Sequence, residues 1–169
     1  MSFTAIFKFI IITILLVFLT SVSFGQDEMD FEEFMGTVSE SFSDKQLDEL
    51  SYLFPWDIKV TAYSHGDFSG DGIEDFVIAI REIDVTPKNT VDVYFCQGTS
   101  KESFELVKTK NYKWFELNLE VAFLVKSGMC YVTNRDNSNW FFTSYKIKDD
   151  KLVQVKKEKF PIEFEKAGE

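Results

Sequence analysis

Apolar and polar residues alternate along most of this chain with a period of two. Ile58, Val60 and Ala62 are separated by Lys59 and Thr61, and Val91, Val93 and Phe95 by Asp92 and Tyr94. Phe115, Leu117, Leu119, Val121, Phe123 and Val125 keep the same beat, as do Phe141, Thr143, Tyr145 and Ile147. Successive strand residues point to opposite faces, so each run predicts a half-buried strand. Phe76-Val77-Ile78-Ala79-Ile80 does not alternate and predicts a central strand buried on both faces. Phe104 to Leu106 opens a further strand, and Leu152 to Val155 returns after a turn at Asp149-Asp150. Ser127-Gly128 reads as another turn.

Only the region before Pro55 has a helical beat. Phe31, Phe34 and Met35 fall on one face, and Gly36 is the expected stop. Ser43 with Gln46 three residues on makes a capping box, followed by Leu47, Leu50 and Phe54 on one face. The expected fold is therefore mainly β, with about seven to nine strands. They form an antiparallel meander or sandwich, or a propeller-blade-like sheet, with one or two short N-terminal helices. Residues 26–56 form the helical segment packed on the sheet, and residues 57–169 the β domain.

The first 25 residues follow a different pattern. Lys8 precedes an apolar run, Phe9 to Leu19, and Ser23-Phe24-Gly25 places small residues ahead of a cut at Gln26. This reads as a signal peptide, since a spanning helix needs about 18 or more apolar residues. Export to a periplasm or beyond follows. Removing the segment takes away Lys8 and no acid, moving the formal charge from −10 to −11. So acidic a chain is a poor partner for nucleic acid or an anionic membrane surface. Cys96 and Cys130 leave two readings open: a disulfide, which export permits, or two buried thiols.

The chemistry concentrates in Gly66-Asp67-Phe68-Ser69-Gly70-Asp71-Gly72-Ile73-Glu74-Asp75. Oxygen side chains stand at Asp67, Ser69, Asp71 and Asp75, with glycines between them. Ca²⁺ takes about six to eight oxygens, and a short loop supplies them only by pointing alternate residues inward around a sharp turn. The loop is not an EF-hand: Ile78 stands where the bidentate carboxylate belongs, and a strand follows in place of a helix. An acidic surface turn that holds no ion uses the same residue types.

The stretch D-F-S-G-D-G-I-E-D, followed by F-V-I-A-I, resembles the calcium loop of FG-GAP and VCBS-type repeats. Ser69 departs from the usual Asn or Asp. The resemblance implies one structural Ca²⁺ surrounded by Asp67, Ser69, Asp71, the Ile73 carbonyl and Asp75, with Glu74 pointing outward as a spare charge. It covers Gly66 to Ile80, and the motif occurs once, which suits a short exported bacterial β protein. Extracellular modules of this kind bind Ca²⁺ at about 10⁻⁴–10⁻³ M.

No residue set announces catalysis. His65 is the only histidine, and the sequence shows no partner to orient it. The chain has no nucleophile elbow, zinc-protease motif or phosphate loop. Trp114, Trp140 and Tyr112 read first as strand residues that pack in the core or across strands, and only second as a sugar-binding surface. Asn134 to Asn139 reads as a solvated hairpin turn. The expectation is a non-enzymatic, monomeric binding module with a protein or glycan partner. A metal-free structural domain is the alternative, followed by a periplasmic hydrolase built on His65 and a carboxylate.

Overall fold

The computed structural model describes residues 28–82, 90–100, 102–113 and 121–162. Residues 1–25, expected to be a signal peptide, with Gln26, Trp114 and the first half of the long alternating run, lie outside these residues. Within them the chain forms two helices and nine strands: β1 (Met29–Asp30), α1 (Phe31–Val38), α2 (Asp44–Leu53), β2 (Ile58–Gly66), β3 (Asp75–Glu82), β4 (Thr90–Gly98), β5 (Phe104–Lys113), β6 (Val121–Lys126), β7 (Met129–Arg135), β8 (Asn139–Lys148) and β9 (Lys151–Pro161). All pairings are antiparallel, in two meanders ordered β1-β2-β3-β4-β5 and β6-β7-β8-β9.

The first sheet is covered on both sides. Phe76, Ile78 and Ile80 of β3 join one core with Phe31, Phe34 and Leu50 of the helices. Val77 and Ala79 join a second core with Phe123, Val132 and Tyr145 of the other sheet. The continuous apolar run of β3 is the sequence mark of this double burial. Cys96 belongs to the first core and Cys130 to the second. Both are free and buried, which selects the two-thiol reading.

Local chemistry explains the element ends. Ser43 accepts from the Gln46 amide, and the Gln46 side chain accepts from the Ser43 amide, closing the capping box of α2. Gly36 does not stop α1, which continues to Val38. An interior glycine costs about 1 kcal/mol relative to alanine, whereas burying a valine side chain contributes about 1.5–3 kcal/mol. Val38 is 1% exposed, so packing wins. Ser127-Gly128 and Asp149-Asp150 all have positive φ. They form two-residue hairpin turns whose twist matches the flanking strands. No helix among the described residues is long and apolar enough to cross a membrane.

Candidate functional site in the acidic glycine loop

The loop joins β2 to β3, which pair from Gly66 opposite Asp75. Gly70 and Gly72 both have φ 84°, a backbone state that favours glycine. Their amides turn toward Asp67: Gly70 N donates to Oδ1 at 2.6 Å and Gly72 N to Oδ2 at 2.9 Å. The Ser69 hydroxyl adds a bond to Asp67 Oδ1 at 3.2 Å. Asp71 is exposed and caps its own turn, its Oδ1 accepting from Ile73 N at 2.8 Å.

Asp75 behaves differently. It is fully buried. Its Oδ2 accepts from Phe68 N at 2.8 Å and Ser69 N at 2.6 Å, and its Oδ1 from Gly98 N at 3.0 Å. One carboxylate thus ties the loop to the far end of β4. The fit at Gly98 is close: a Cβ there would lie 2.1 Å from the Glu74 carbonyl oxygen. Phe68, also fully buried, plants the loop in the second core, and its carbonyl accepts from Ile147 N of β8 at 3.0 Å. Gly66 sits against the second sheet too, where a Cβ would come within 2.7 Å of Val125.

The two carboxyls shift in opposite directions. Burial pushes Asp75 above the ordinary carboxylate value, and the Gly98, Phe68 and Ser69 amides only partly oppose it. Burial also acts to raise Asp67, but the Gly70 and Gly72 amides and the Ser69 hydroxyl hold it below the ordinary value.

Glu74 is not a spare outward charge. Its Oε1 lies 2.5 Å from His65 Nδ1, and the Phe42 and His65 rings pack in a T-shaped arrangement with centroids 5.3 Å apart. His65 therefore has the orienting carboxylate that the sequence did not show. Periodicity assigns Glu74 only to the end of a turn. The hairpin closure, which returns residue 74 to residue 65, makes the pair. Gly98 was equally hidden, because its contact with Asp75 spans 23 residues.

Against the five expected calcium donors, the loop divides. Asp67, Ser69 and Asp71 are exposed or half-buried, and lone pairs remain on both carboxylates. Asp75 has no exposure and spends three of about four acceptor positions on amides. Among the described residues, no three His, Cys, Asp or Glu side chains are grouped to hold a metal ion. The outer side chains keep acceptor positions open to solvent, whereas Asp75 is spent as an internal anchor.

No protein-family model matches the chain, and no curated protein matches it significantly.

Proposed function

We propose that this chain is a non-enzymatic, exported β module that works as a monomer by binding a protein or glycan. One structural Ca²⁺ stiffens its acidic loop. Asp67, Ser69, Asp71 and the Ile73 carbonyl would hold the ion, with Asp75 anchoring the loop from inside. The observation that carries this reading is the finished turn. Gly70 and Gly72 are already in the left-handed region with Asp67 seated on their amides. Little ordering cost remains when an ion binds a loop already folded. The ion supplies positive charge among carboxylates that otherwise repel one another.

A second reading has its own support. The three loop aspartates, Asp67, Asp71 and Asp75, already have amide partners, and Glu74 has His65, which favours a metal-free latch. Thermal unfolding in EDTA, in millimolar Ca²⁺ and in Mg²⁺ separates the two. At ten times its Kd a single ion adds about 1.4 kcal/mol. For a protein of this size that raises Tm by about 3–6 °C. The calcium reading expects this rise in Ca²⁺, its absence in Mg²⁺ and its loss in Asp71→Ala. Identical curves in all three media would leave the latch.

A further inference from the structure

A second region carries chemistry of the opposite sign. β5 ends the first sheet and β9 ends the second. Between them and the inner face of the second sheet lies an open cavity of about 350 Å³, lined by Lys110, Asn134, Phe141, Thr143, Tyr145, Gln154 and Lys157. Compact ligand sites fall at about 300–1,000 Å³. In a chain of net charge −10, no carboxylate among the described residues lines this cavity.

Both lysines are positioned by aromatic rings. Lys110 Nζ donates to Tyr145 Oη at 2.8 Å and lies 4.4 Å from that ring's centroid. Lys157 Nζ lies 4.9 Å from the centroid of Phe141. Neither forms an ion pair among the described residues; the nearby Glu158 is taken by Lys156, at 2.9 Å. Lysines on an edge strand commonly serve only to keep edges from pairing. Lys156 and Lys151 need no other explanation. Lys110 and Lys157 differ because they line the cavity, on β5 and on the inward side of β9 opposite Thr143.

The remaining lining narrows the ligand. An ammonium only donates, so two of them call for an oxyanion. The side chains of Asn134, Gln154 and Thr143 also accept, and a fully deprotonated anion such as sulfate brings no donor for those oxygens. A ligand that satisfies both sets carries a negative group and hydroxyls on one small frame. We propose that this cavity binds a sugar acid, with Lys110 and Lys157 taking the carboxylate and Asn134, Thr143 and Gln154 taking the hydroxyls.

The proposal rests on reading the chain as a binding module and is independent of the ion in the acidic loop, so the calcium experiment and this one fail separately. The test is calorimetric titration of the full chain with glucuronate, with glucose and sulfate as controls. Saturable glucuronate binding is expected, weakened by added NaCl, with no heat from glucose. Lys110→Met and Lys157→Met should each weaken binding about tenfold or more, as loss of a charge-assisted hydrogen bond does. Lys157 is exposed, so its replacement leaves the core intact if Lys110→Met does not fold. Absence of saturable binding, wild-type affinity in the Lys157→Met variant, or sulfate binding as tightly as glucuronate would each overturn the assignment.

Discussion

Two loops of this molecule use the same device to different ends. In the turn between β7 and β8, Asp136 Oδ1 accepts from Ser138 N at 2.8 Å and Asn139 N at 2.7 Å. In the acidic loop, Asp75 accepts from Phe68, Ser69 and Gly98. The partners of Asp136 lie two and three residues away, whereas those of Asp75 lie six, seven and 23 away. The Ser138 amide draws the half-buried Asp136 below the ordinary carboxylate value, while burial pushes Asp75 above it. Similar hydrogen bonds therefore give a local turn in water and a long-range tie in the interior. What separates them is the cost of an unmade bond, since water replaces a lost partner only at the surface.

The most severe way to break this contrast is Asp75→Ala. It strands three amide hydrogens around a buried space, each costing about 1–3 kcal/mol. A loss of about 3–5 kcal/mol is expected in urea unfolding, against a midpoint close to the parent's for Asp136→Ala. Equal losses at the two sites would show that burial does not separate them. Gly98→Ala should cost somewhat less, about 2–3 kcal/mol, because a displaced backbone relieves part of the overlap with the Glu74 carbonyl. A parental midpoint there would mean that the junction of loop and β4 is loose.

The smallest effect concerns acid. Asp67 lies below its ordinary value when folded. Its contribution is therefore complete above the unfolded value of about 3.9 and is lost as pH falls through the folded value. Asp75 has the opposite sign: its contribution is complete below about 3.9 and fades as pH rises through its raised folded value. Asp67→Asn should therefore flatten the fall of the urea midpoint between about pH 5 and about pH 2. Superimposable acid limbs would show that the Gly70 and Gly72 amides do not favour the ionised form.

Features set by short-range rules could be read from the sequence. The run from Phe76 to Ile80 reads as a doubly covered strand and is one, and the Ser43–Gln46 capping box opens a helix at Asp44. Ser127-Gly128 and Asp149-Asp150 fall where alternation breaks, and both are turns. The end of α1 escaped because Gly36 signals a local stop while the burial of Val38 is decided by the tertiary core. Met29–Asp30 escaped because two residues hold no period; their strand exists only by pairing with β2. In the acidic loop, position and residue type were legible and orientation was not. Asp67 and Asp75 look alike in a motif, but only the packing of Phe68 and the approach of Gly98 turn Asp75 inward.

The strand order has a consequence for how the chain is made. Each sheet is one unbroken stretch, residues 29–113 and then 121–161, and within each every strand pairs with its neighbour in sequence. A ribosome builds from the amino end, so all the partners needed by the first sheet emerge before any strand of the second. For that interval the side of the first sheet bearing Val77, Val93 and Phe95 has no cover. The nascent molecule carries this apolar face uncovered until the last third of the chain arrives to close it.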